Sequence, residues 1–257
     1  MSNNVIKLAA IGAIAFIAPS FPAPSTAAGN EVIALVASSA QGAFTEIVKE
    51  FQSKHSGVTV KAQFLGGTQI GDLIDQQAVA DLVLVGSGTT DKEANLLNPP
   101  QAAYRNREVI LVAKGNPGNV KTLKDLGNPG VKISIGTPAS AVGKLASQVV
   151  QNGAADFGFD FVKNVRNNIA VQFDKGSDVV DAVVNGKANV AIAFESDKDD
   201  SKYTTISIEE KYNVISTYNM AVPKNAKNPE LAADLVKIIA GPDGQAVLHK
   251  YNYMPPK

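Results

Sequence analysis

The chain has 257 residues, 45% hydrophobic, 19% charged and 6% aromatic, with 24 basic side chains against 24 acidic ones, two histidines and no cysteine. A formal net charge of zero leaves no basic footprint for nucleic acid. Without cysteine there is no disulfide, thiolate metal site, cysteine nucleophile or lipid anchor on that residue, and His55 and His249 alone are too few for a multi-imidazole metal centre or a histidine relay.

Lys7 precedes an uncharged apolar run, residues 8–18, which is too short for a membrane span of about 20 residues. Pro19, Pro22 and Pro24 follow, then small residues at Ser25 and Ala27, the pattern of a secretory leader cut after Ala27. Losing those 27 residues, whose one charged side chain is Lys7, leaves 230 residues with a single net negative charge. Release into a periplasm is the expected location, since no cysteine follows the cleavage point.

From residue 32 onward short β-rich runs alternate with amphipathic helices. Residues 32–36 form a strand and 41–55 a helix, with Ala43, Phe44, Ile47, Val48 and Phe51 at helical spacing. Strands at 58–64 and 81–85 flank a short helix at 69–77, and a further strand spans 108–113. The turn formers at 114–119 mark a domain crossing. A second set follows: strands at 131–135, 169–173 and 190–194, helices at 141–151 and 177–185, and a helical turn at 123–126. A strand at 204–208 leads into an extended run at 212–222, and two helices follow, one opened by Pro229 and one at 245–251. The expected fold is an α/β, two-lobed architecture, each lobe a mostly parallel sheet flanked by helices. Residues 28–113 and 216–257 make the first lobe and 114–215 the second.

In four places a strand ends, small or hydroxyl residues follow, and a helix begins: around Ser38 and Ser39, around Gly67 and Thr68, from Gly136 through Ser140 to Val142, and at Gly176 and Ser177. Each helix start offers unpaired N–H groups and about half a positive charge, while small residues let an anion approach. Two starts come from each lobe, so their convergence makes a neutral cage for an oxyanion. Arg105 and Arg107, just before a crossing strand, fit an anion clamp or an ion pair between lobes equally well; Arg166 with Asn167 and Asn168 is another clamp candidate, and Lys144 reads as a solvated helix residue. Glu195, Asp197, Asp199 and Asp200 read as a solvated acidic loop rather than a calcium site. Enzyme signatures are missing: no P-loop, no Gly-x-Ser-x-Gly elbow, no His-Glu-x-x-His, and Gly86-Ser87-Gly88 lacks the third glycine of a dinucleotide fingerprint.

The motifs at 36–40, 64–68, 105–112, 136–140 and 185–189, with the tail from Lys227 to Ala246, resemble in order the molybdate-binding proteins of ABC importers, within the type II periplasmic solute-binding class. The resemblance implies two lobes joined by two crossing strands as hinge, in a monomeric receptor without cofactor that closes over molybdate or tungstate and delivers it to an ABC permease in the inner membrane. It places ligand contacts at Ser39, at Thr68 or Gly67, at the Val142 amide, and at Gly176 or Ser177. The family's tyrosine falls on Phe194, which cannot donate a hydrogen bond. Losing that donor weakens binding by about 1.5–3 kcal/mol unless Ser177, Ser196 or Lys144 replaces it. Residues 164–169 resemble a neighbouring branch that binds citrate or phosphoglycerate, which makes a small organic anion the alternative ligand.

Overall fold

The computed structural model describes residues 29–257, and the expected leader lies outside them. The first lobe opens with β1 (Glu31–Ala37), α1 (Gln41–Lys54), β2 (Thr59–Leu65), α2 (Gly67–Asp75), β3 (Leu82–Gly86) and α3 (Ser87–Lys92). In α1 the stripe Ala43, Phe44, Ile47 and Phe51 is buried, as its spacing predicts. The long β4 (Gln101–Ala113) leads to the second lobe: β5 (Ile133–Gly136), α4 (Ala141–Phe157), α5 (Phe159–Asn167), β6 (Ile169–Phe173), α6 (Gly176–Val184), β7 (Val190–Phe194) and β8 (Tyr203–Ser207). The chain returns along β9 (Ile215–Ala221) to α7 (Pro229–Ala240) and α8 (Pro242–Lys250).

Eight strands lie in the order β2-β1-β3-β9-β4-β7-β5-β6, and β8 pairs with β4. Pairing is parallel among β1, β2 and β3 and among β5, β6 and β7, whereas β4 and β9 are antiparallel to each other and to their neighbours. The expected fold is therefore present: two parallel sets joined through two antiparallel crossing strands. The place where β4 changes partners differs from the sequence expectation. Residues 101–107 pair with β9, while residues 108–113 pair with β7 and β8. Core membership changes with the pairing, since Tyr104 packs with Phe44 and Leu235 whereas Ile110 packs with Ile133 and Val149. The turn formers after Lys114 instead close β4 inside the second lobe, with Gly115, Asn116 and Asn119 in the left-handed region. Tyr212, in the turn before the return strand, belongs to the second core, and Tyr218 on β9 belongs to the first.

Two helices were not anticipated from the pattern. α3 buries Thr90 as its one fully covered residue, too little for a periodic signal. α5 follows α4 directly at Gly158, whose φ of +79° breaks the helix axis without a polar linker.

A buried carboxylate ties the first lobe together. Asp81 Oδ2 accepts from Ile33 N at 2.9 Å, and Oδ1 accepts from Lys227 N and Asn228 N at 2.8 and 2.7 Å. It joins the base of β3 to β1 and to the start of α7.

Candidate functional site

The sheet register alone places a site. β1, β2 and β3 end side by side, with Ala37 opposite Leu65 and Val36 opposite Leu84, and a helix or 3-10 turn follows each end. In the second lobe Gly136 pairs with Phe173, and β7 ends at Phe194. Because β4 runs with β3 but against β7, the carboxyl ends of the two parallel sets point at each other. Tyr104, in register with Tyr218, marks the first edge, and Glu108, in register with Phe194, marks the second. Four residues of strand separate them, about 13 Å at ~3.3 Å per residue. Such facing edges are where ligands enter α/β sheets.

On the first edge, Ser39 lies half-buried in a 3-10 turn, and its carbonyl accepts from Tyr253 Oη at 2.5 Å. The Tyr104 ring packs between Tyr218, stacked at 4.8 Å, and Tyr253, tilted at 4.3 Å. Burial pushes each of these phenols up from its ordinary range, so they are neutral donors at physiological pH. Gly67 is half-buried, with Thr89 Oγ1 3.7 Å from where its Cβ would stand; Ser38 and Thr68 are exposed.

On the second edge Ser140 caps α4: its hydroxyl accepts from Gly143 N at 3.1 Å and donates to Thr137 O at 2.9 Å. That hydroxyl is committed to its own turn, which leaves the first-turn amide of buried Val142 without an intrahelical acceptor. The turn is tight, for a Cβ on Gly136 would stand 2.5 Å from Gly143 N. At α6 no side chain caps the start, Gly176 is half-buried and Ser177 exposed.

Phe194 is buried and meets Tyr218 edge-on at 6.5 Å and 81°, a contact between the lobes. Phe194 therefore lies beside the tyrosine cluster of β4, β9 and the tail. Of the substitutes named from the sequence, Ser196 lies near them: its Oγ accepts from Asn106 Nδ2 at 2.9 Å and faces Tyr253, while Ser177 and Lys144 are exposed. The arginines are engaged elsewhere. Arg107 forms a bidentate pair with Glu195, at 2.8 and 3.0 Å, and Arg105 Nε donates to Pro255 O at 2.9 Å. Arg166 belongs to the exposed surface of α5 and lines a shallow depression with Lys163 and Phe159.

A bacterial extracellular solute-binding protein family matches residues 32–253, nearly the whole described chain. The chain belongs to that family. The molybdate-binding protein ModA of Mycobacterium tuberculosis is 26% identical over 244 residues, covering 92% of this chain and 89% of that protein. Two solved structures share the fold. The substrate-binding domain of a putative molybdenum ABC transporter from Clostridium difficile has a TM-score of 0.71 at 23% identity, over 89% of this chain and all of that one. The periplasmic molybdate-binding protein of Azotobacter vinelandii has a TM-score of 0.74 at 15% identity, over 88% of this chain and all of that one. The likeness to molybdate-binding proteins read from the motifs is borne out.

Sequence reasoning missed the acids at the centre of this solute-binding protein. Glu108 is fully buried, and neither carboxyl oxygen has a hydrogen-bond partner. Burial first, and the charge of Asp197 second, push its carboxyl well above the usual carboxylate range. Asp197, read from sequence as part of a solvated loop, turns Oδ2 inward, 3.5 Å from the position of a Cβ on Gly176, and burial raises it to about 6. Its neighbours do form a solvated loop, Lys202 pairing with Asp199 at 3.1 Å and Lys198 with Asp200 at 3.6 Å. Among the described residues no cluster of three His, Asp or Glu is arranged to hold a metal ion, and no helix is long and apolar enough to cross a membrane.

Proposed function

We propose that this solute-binding protein is the extracytoplasmic receptor of an ABC importer for a small tetrahedral oxyanion, molybdate or tungstate first. The observation that carries the reading is the pair of facing strand edges, about 13 Å apart, furnished with neutral donors: amides at helix starts, the Ser39 hydroxyl and buried phenols. The shares of identity with the ModA protein support the same ligand class. Ser39 and the Gly67–Thr68 turn would hold the anion on the first lobe, and the Val142 and Gly176–Ser177 amides would complete its shell when the lobes close. Closure follows from binding because only the closed form presents donors from both lobes. Tyr104 and Tyr218 would take the part that Phe194 lacks, since the Tyr253 hydroxyl proton is given to the Ser39 carbonyl. A leader cut after Ala27 would release the monomer into the periplasm, where a membrane permease receives the anion.

Cavity size would separate molybdate from sulfate, since a shorter anion leaves donors of a fixed shell unpaired at about 1–3 kcal/mol each. Titration calorimetry with molybdate, tungstate, sulfate, phosphate and citrate tests this. Molybdate and tungstate should bind one to one and at least tenfold tighter than sulfate; binding of citrate alone would replace the oxyanion reading with that of an organic-anion receptor. Ser39→Ala should weaken molybdate binding at least tenfold, about 1.4 kcal/mol. An unchanged affinity removes Ser39 from the shell.

A further inference from the structure

Among the described residues six buried side-chain oxygens have no hydrogen-bond partner, and three of them lie at the second edge: both carboxyl oxygens of Glu108, and Asp197 Oδ2, three residues past the Phe194 that pairs with Glu108. Leaving such atoms unpaired is unfavourable, so their concentration at one place marks a position built to receive something polar. An anion is the guest that helix starts favour, yet ionised carboxylates beside it would repel it. Hydrogen-bonding and charge requirements are both met if the carboxyls carry protons, because a protonated acid donates where an ionised one only accepts.

Resting on the oxyanion reading above, we propose that Asp197 takes up one proton from solvent as the anion binds, so that Asp197 and Glu108 face the bound anion as neutral hydrogen-bond donors. Close to Asp197 lie Glu108 on β4, Tyr218 on β9, Tyr253 in the tail and Tyr203 on β8, together with Gly176 on α6, whose start also carries Lys175 and Asp178. Arg107 pairs with Glu195, Lys198 with Asp200 and Lys202 with Asp199, while Lys175 at the N-cap of α6 is exposed. Among the described residues Asp197 itself forms no ion pair. Burial holds the Glu108 carboxyl well above the usual carboxylate range, whereas Asp197, raised to about 6 by burial, is the group that changes state near neutrality. An arriving dianion raises it further. The sign follows: Asp197 is protonated below about pH 6 before any anion arrives, and above that pH each bound anion must draw a proton in, so affinity falls as pH rises.

The test uses molybdate, tungstate or sulfate, whichever binds, because all three stay dianionic between pH 6.5 and 8.5. Calorimetry of the full-length mature protein in buffers of different ionisation enthalpy should report close to one proton taken up per anion. The dissociation constant should rise by up to tenfold per pH unit across that range. Asp197→Asn, which keeps the shape and cannot ionise, should bind with an affinity independent of pH, while Glu108→Gln should retain the slope. Anion binding without proton uptake, or a slope that survives in Asp197→Asn, overturns this proposal and leaves the receptor reading standing. A slope lost only in Glu108→Gln moves the proton to the wrong acid and overturns it as well. No binding of any oxyanion between pH 5.5 and 8.5 removes the receptor reading and the proton linkage together.

Discussion

Replacing Gly143 by alanine is expected to lower the stability of the protein by about 3 kcal/mol and to weaken oxyanion binding at least tenfold. The added Cβ would press against the carbonyl oxygens of Thr137 and Gly136, which are backbone atoms and cannot swing aside. Relief requires the first turn of α4 to lift off the end of β5, and that turn carries the Val142 amide. The same packing constrains Gly136, whose Cβ would stand 2.5 Å from Ser140 Oγ and 2.7 Å from Val142 Cγ1. For a chain of this size 3 kcal/mol corresponds to a fall in Tm of roughly 8 °C. The opposite outcome is informative, because alanine inside a helix is otherwise better than glycine by about 1 kcal/mol. A thermal melt that rises, with calorimetric affinity unchanged, would mean that α4 does not sit this close to β5 and that its amide is not held for a ligand.

Asp81→Ala should have an equally large effect on stability and none on the ligand. Its carboxylate is buried and accepts from three backbone N–H groups on two other segments, so truncation strands all three donors. Unsatisfied buried donors are unfavourable by about 1–3 kcal/mol each, and partial relaxation leaves an expected loss of about 4 kcal/mol. The residue lies just before β3, at the opposite end from the edge that faces the second lobe. Five residues of strand, about 16 Å, separate it from Gly86. Urea unfolding should therefore show a lower midpoint with an unchanged slope, and calorimetry an affinity within twofold of the parent. A large loss of affinity in the folded variant would show that the two ends of the first lobe are coupled.

The alternation of apolar runs and helical stripes made the α/β layers legible, and the strands at residues 169–173 and 190–194 are found where the pattern put them. The turns that matter were legible too, because a strand end followed by glycine or a hydroxyl and then a helix is a local signal. What escaped was non-local. β4 crosses between lobes without a break, and its residues 101–107 alternate Tyr104 and Asn106 with Arg105 and Arg107, so no turn residue announces the crossing. Glu108 reads as a solvated strand residue, and the fold alone buries it by placing it opposite Phe194. Asp197 sits among Glu195, Asp199 and Asp200, which pair with Arg107, Lys202 and Lys198, and nothing in composition distinguishes the one that turns inward. The tyrosines lie far apart in sequence, at 104, 218 and 253, and only the return of β9 and of the tail brings their rings into contact.

The side chain of Asn213 joins the two crossing strands where their backbone ladder ends: its Oδ1 accepts from Glu108 N at 3.1 Å and its Nδ2 donates to Glu108 O at 2.8 Å. The last backbone pair of that ladder, Arg107 with Ile215, lies immediately beside it. This fixes the kind of movement open to the protein. A slip of one strand along the other would turn Tyr104 and Glu108 to the opposite face and break both amide contacts, so sliding is excluded. What remains is torsion about a pivot at Asn213 and Glu108, which lets the jaws swing while the floor between them keeps its register.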